Sequence, residues 1–111
     1  MPTLPYSAAA PTRAEIDARP GPLVLDFGTD WCGFCRAAAP HIERALADRA
    51  DLAHLKIEDG KGRALGRSFG VKLWPTVIVM RAGREVGRVV RPQHPDDVAE
   101  ALAGLDDADP T

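Results

Sequence analysis

Five consecutive residues, Leu23-Val24-Leu25-Asp26-Phe27, constrain the fold of this chain more than any other stretch. They lie between the breaker run Arg19-Pro20-Gly21-Pro22 and Gly28-Thr29-Asp30, and they read as a strand. Side chains alternate across a strand, yet here both faces are apolar, which requires a sheet covered by helices on both sides. One carboxylate, Asp26, interrupts the apolar run, and a carboxylate buried without a partner is expensive.

The remaining segments supply the covering layers. Thr12-Arg13-Ala14-Glu15 matches a capping box and opens a short helix, Thr12 to Ala18. From Cys32 to about Arg49 the chain is rich in Ala, Leu and Arg, with Ile42, Ala45, Leu46 and Arg49 at helical spacing and Pro40 placed to kink the helix. Leu52 to Ile57 reads as a second strand and Gly60 to Phe69 as a weaker helix. Pro75 precedes the strand Thr76 to Met80, and Ala82-Gly83 turns the chain into Glu85 to Val90, a hairpin. Pro95-Asp96-Asp97 opens a closing helix, Asp96 to Ala103, with acidic residues at its positive end. The order predicts an α/β sandwich around a mixed sheet.

At 111 residues, 45% of them hydrophobic, the chain suffices for one core. Residues 1–11, with three prolines and no clear period, are expected to form a flexible segment, residues 12–106 the domain, and residues 107–111 a tail. Fourteen basic and sixteen acidic side chains give a net charge of -2 without a basic block, which argues against a nucleic-acid partner. The longest apolar runs, Leu23 to Leu25 and Val77 to Met80, fall far short of a membrane span of about 20 residues. Met1 to Ala10 lacks the charged and apolar regions of a secretory signal, and the compartment is read as cytoplasmic.

The chemistry lies in Trp31-Cys32-Gly33-Phe34-Cys35. A disulfide across so short a loop constrains little unfolded-chain entropy, so a structural staple is the weaker reading. At a helix start, residues three apart share a face and the two sulfurs can bridge. The unsatisfied N–H groups there favour an anion, and the thiolate is the attacking species, which assigns attack to Cys32 and resolution to Cys35. The competing reading is a metal half-site. Only His41, His54 and His94 could complete it, and His41, nine residues after Cys32, falls on the opposite helix face. No metal is expected.

Over roughly Pro22 to Leu102 the chain resembles the thioredoxin family. Trp31-Cys32-Gly33 and Cys35 match the family's active-site signature, Asp26 its buried carboxylate, Pro40 its helix-kinking proline, Lys56 the lysine near that carboxylate, Pro75-Thr76 its cis-proline and following threonine, and Gly83 its hairpin glycine. The resemblance implies the thioredoxin fold, a central mixed sheet of four or five strands flanked by helices on both faces. It implies that Asp26 relays the proton of Cys35, with Lys56 as a candidate ionic partner, and that Pro75 packs near the cysteines. Trp31, Gly33, Phe34, Trp74, Pro75 and Thr76 would then contact substrate, with the Trp74 backbone offering strand-like hydrogen bonds. The family's proline between the cysteines is replaced by Phe34, its usual aromatic by Gly28, and a substrate-admitting glycine by Arg91-Pro92. The N-terminal strand common in the family is not evident in Pro5 to Pro11.

The function expected from these readings is dithiol-disulfide exchange on protein substrates by a monomer. Its redox centre is the Cys32–Cys35 disulfide, no cofactor is bound, and a thioredoxin-reductase-like donor supplies electrons. The alternatives are a glutathione-recycled, glutaredoxin-like protein and a non-catalytic docking module that holds a partner through Trp31, Phe34 and Trp74.

Overall fold

The structure is a computed structural model, described here for residues 4–107. Most of the expected tail, 108–111, and residues 1–3 of the N-terminal segment lie outside the described residues. The elements run in the order α1 (Arg13–Ala18), β1 (Pro22–Gly28), α2 (Gly33–Leu46), β2 (Ala53–Glu58), α3 (Ala64–Ser68), β3 (Thr76–Arg81), β4 (Arg84–Val90), α4 (Pro95–Leu102) and α5 (Gly104–Asp107). The capping box forms as expected: Glu15 N–H donates to Thr12 Oγ1 and Thr12 N–H to Glu15 Oε1. Helix α3 is shorter than the expected Gly60 to Phe69, because Gly60 and Gly62 take positive φ and hold the chain in turns before it.

The four strands form one mixed sheet in the order β2-β1-β3-β4, with β1 parallel to β2 and antiparallel to β3, and β3 antiparallel to β4. The β3–β4 turn is the two residues Ala82 and Gly83, both at positive φ, the geometry that matches the twist of a hairpin. Alternation along β1 sorts the core into two layers. Leu23, Leu25 and Phe27 pack with Ile16, Ile57, Phe69, Ile78 and Met80 on one face. Val24 packs with Ala38, Ile42, Val77, Val79, Val98 and Leu102 on the other, beneath α2 and α4. Asp26 shares the parity of Val24, and its carboxylate therefore lies on the α2 side of the sheet, 2% exposed.

Among the described residues a fifth strand does not form. Beside β2 the chain makes one parallel bridge, Ser7 to Ile57, held by Ser7 N–H to the Lys56 carbonyl and Glu58 N–H to the Ser7 carbonyl, both 2.9 Å. Ser7 Oγ then accepts from Ala9 N–H at 3.2 Å and turns the chain away from the sheet. That single bridge places the preceding residue, Tyr6, inward and buried, a contact that the aperiodic sequence of residues 1–11 did not announce.

Candidate functional site

The site forms where β1 gives way to α2. Cys32 is the N-cap of α2 with extended backbone (φ -77°, ψ 122°), which leaves its sulfur at the helix mouth, while Cys35 lies one turn on and faces the sheet. Both are free thiols, Cys32 8% exposed and Cys35 2%. Gly33 and Phe34 form the first helical turn, and Pro40 lies farther along α2 on its solvent side, where its missing N–H leaves the Arg36 carbonyl without a helical donor.

The two cysteines differ in surroundings. Burial pushes the Cys35 thiol up to about 12, against a partial opposing effect of the Thr29 backbone N–H, which bonds the sulfur. The sulfur also stands beside the phenol of Tyr6, whose hydroxyl donates to Asp26 Oδ1 at 2.7 Å. Burial, with the Asp26 carboxylate beside it, raises the Tyr6 phenol well above its ordinary value and keeps it protonated. Gly28 makes this arrangement sterically accessible. A Cβ there would stand 2.5 Å from Cys35 Sγ and 2.8 Å from Tyr6 Oη, so the absent side chain is the space in which phenol and thiol meet.

Lys56 departs from its expected role as the ionic partner of Asp26. It pairs in register with Asp26 across β1 and β2, yet its ammonium reaches out to the Leu4 carbonyl at 2.6 Å and lies over the Tyr6 ring at 4.4 Å. The phenol has taken the inner place, and the long lysine stem carries its charge toward water. His54, two residues earlier on the same face of β2, brings Nε2 to 3.3 Å from Asp26 Oδ2 instead. Alternation along β2 was the signal for His54. For Tyr6, the one tyrosine of the chain, the signal was the vacancy at Gly28.

Around the mouth, Trp31 is 73% exposed and meets Trp74 edge to face, with centroids 5.7 Å apart at 81°. Trp74 is itself fixed by Nε1–H to Asp59 Oδ2 at 2.8 Å. The Trp74–Pro75 peptide is cis, Pro75 is buried, and Thr76 is buried with its hydroxyl on the Leu73 carbonyl at 2.6 Å. Phe34, 57% exposed, lies under the Arg91 guanidinium at 3.7 Å. Arg91 also donates Nε–H to the Trp74 carbonyl (2.8 Å) and its backbone N–H to the Pro75 carbonyl (2.9 Å), from a backbone with φ +52°. Thus Cys32, Cys35, Asp26, Trp31, Phe34, Trp74 and Pro75 converge, and Arg91, singled out only as a departure from the family, joins the cysteine turn to the Trp74–Pro75 segment. Among the described residues no three His, Cys, Asp or Glu side chains form a group suited to a metal ion. No helix among them is long and apolar enough to cross a membrane.

A buried dithiol with one sulfur at a helix mouth and the other above a carboxylate can exchange disulfides in two successive displacements. Comparison with known proteins agrees. The Thioredoxin family model matches residues 8–104. A thioredoxin from Staphylococcus aureus (strain Mu50) is 33% identical over 96 residues, covering 82% of this chain and 90% of that one. Thioredoxin H2-1 from rice is 34% identical over 68 residues, 61% of this chain, and the match spans about half of that longer relative, 49%. Among solved structures, reduced thioredoxin 2 from Pseudomonas aeruginosa PAO1 superposes with a TM-score of 0.83 at 51% identity, covering 96% of this chain and 98% of the other. A family match of this extent, over an architecture shared almost end to end, makes the chain a member of the thioredoxin family.

Proposed function

We propose that the chain is a thiol-disulfide oxidoreductase acting on protein disulfides, with Cys32 as nucleophile and Cys35 as resolving thiol. The observation that carries this reading is the unequal placement of the pair: Cys32 caps the helix at the rim, whereas Cys35 is sealed beneath it with its thiol held up to about 12. A thiol held so far from ionising needs a base, and Asp26 is the buried carboxylate on its side of the sheet.

The reaction runs in two displacements. The Cys32 thiolate attacks one sulfur of a substrate disulfide; that S–S bond breaks, a mixed disulfide forms, and the first substrate thiolate leaves and takes up a proton. Cys35 then gives up its proton toward Asp26 and attacks Cys32 Sγ. The mixed disulfide breaks, the second substrate thiolate leaves, and two electrons have passed to the substrate, leaving a Cys32–Cys35 disulfide. The dithiol is restored by an external reductant, a reductase drawing on a nicotinamide cofactor in the cytoplasm.

In this reading Trp31, Gly33, Phe34 and Trp74 form the substrate surface, with Pro75 and Thr76, both buried, behind it. The exposure of Trp31 and Phe34, unusual for large apolar side chains, supports it. Insulin reduction driven by dithiothreitol tests the proposal. Wild type should accelerate precipitation, Cys32→Ser should not, and Cys35→Ser should accumulate mixed disulfides on Cys32. Equal rates for wild type and Cys32→Ser would leave a docking module, and efficient direct turnover with glutathione would point to glutaredoxin-like chemistry.

A further inference from the structure

We infer that Tyr6 is part of the proton path of the resolving step, its hydroxyl standing between the Cys35 thiol and Asp26 so that the proton leaves through the phenol. The inference rests on the reading of Asp26 as the base. It draws on three independent facts of geometry. The phenol donates to Asp26 Oδ1 at 2.7 Å, which uses its only proton and leaves its oxygen lone pairs to accept from the Cys35 S–H. Cys35 Sγ and Tyr6 Oη both border the point where a Gly28 Cβ would sit, at 2.5 Å and 2.8 Å, and the two side chains pack in one buried cluster. The ring is held in place from outside, by Tyr6 N–H to Asp30 Oδ1 at 2.9 Å and by the Lys56 ammonium over its face.

Proton bookkeeping for the step is closed. As Cys35 approaches the mixed disulfide, its proton passes to Tyr6 Oη while the phenol proton passes to Asp26 Oδ1. The phenol is regenerated, Asp26 becomes a carboxylic acid, and the Cys35 thiolate displaces the substrate sulfur from Cys32. Asp26 later returns its proton to solvent. The phenol acts as a relay and not as a base, since burial keeps it from ionising.

The groups facing this path are few. They are Asp26 with His54 at 3.3 Å, Cys32 and Cys35 from α2, and Asp30, Arg36 and Lys56 around a cavity of about 410 Å³ that reaches Cys35 beside Thr29. The cavity supplies the rival path, in which water takes the proton directly.

Single-turnover kinetics with a peptide disulfide decide between them, following release of the first and of the second substrate thiol across pH 5 to 10. Tyr6→Phe keeps the ring and removes the hydroxyl. Release of the second thiol should slow by about a hundredfold at pH 7, the low end of the range for general acid-base contributions, and should recover as pH rises. Release of the first thiol should stay within about twofold, since Cys32 does not use the phenol. Asp26→Asn should slow the same second step, and Tyr6→Phe/Asp26→Asn should be no slower than Asp26→Asn alone. If Asp26→Asn slows the second release while Tyr6→Phe leaves its rate and pH profile unchanged, the relay is overturned and Asp26 remains the base. If neither variant slows it, the role of Asp26 falls and the relay with it. Equal slowing of both releases by Tyr6→Phe would mark a packing defect and also overturn the relay.

Discussion

Gly28 and Tyr6 share one volume: a Cβ on Gly28 would lie 2.8 Å from the Tyr6 hydroxyl and 2.5 Å from the Cys35 sulfur. The aromatic that the family resemblance puts at position 28 is absent here, and an aromatic from the N-terminal segment fills its place against Asp26. The exchange ties a stretch of chain outside the sheet to the thiol pair.

Gly28→Ala is therefore expected to act on the site as well as on stability. The added methyl must push aside the sulfur or the phenol, and overpacking of this kind costs about 1–3 kcal/mol. Thermal melting of the reduced protein should show a lowered midpoint, and resolution of a mixed disulfide should slow. A midpoint and rate equal to wild type would mean that the phenol and thiol yield freely.

The raised Cys35 thiol makes reduced-state stability depend on alkaline pH. In the unfolded chain the thiol ionises near its ordinary value of about 9, whereas in the folded chain it stays protonated to about 12. The unfolded state thus binds fewer protons in that window, and stability falls as pH rises through it, having been fully present below about 9. Denaturant titrations of reduced wild type should fall more steeply between pH 9 and 12 than those of Cys35→Ser. Parallel slopes would contradict the assigned burial.

Arg91→Gly should open the groove. Glycine accepts the φ of +52° without strain, and its substitution releases the Trp74 carbonyl that the guanidinium now occupies. A strand-like substrate would gain that acceptor. KM for a protein disulfide is expected to fall severalfold with little change in kcat; a KM that rises would assign Arg91 a direct attractive role instead.

Phe34→Pro should make the centre more reducing. Proline removes one of the backbone N–H groups at the start of α2 and fixes φ there, which withdraws a donor from the Cys32 side. A fall of about 30 mV, equivalent to roughly 1.4 kcal/mol, is the scale expected in equilibrium with glutathione. A potential equal to or above that of wild type would contradict it.

Much of this was legible along the chain. Two apolar faces in Leu23 to Phe27 demanded covered layers, the Thr12–Glu15 box fixed the start of α1, and Ala82-Gly83 fixed the hairpin, because each is decided by neighbours in sequence. The C-x-x-C spacing at a helix start likewise carried the chemistry of Cys32 and Cys35, and β1 alternation sent Asp26 beneath α2. Contacts across many residues were different. Tyr6 reaches Asp26 over 20 positions, His54 reaches it over 28, and Arg91 caps the Trp74 carbonyl over 17. Alternation along β2 gives the face of His54 but not its partner, and no local periodicity encodes the other two pairings. Lys56 shows the limit most clearly: its register opposite Asp26 follows from the strands, but which side chain fills the space between them is settled by three-dimensional packing, where the phenol of a distant segment won the buried position and the ammonium turned to water. Sequence alone determined the layers and the reacting pair; tertiary structure decided what surrounds Cys35, because solvation and close packing act on whichever groups the fold brings together.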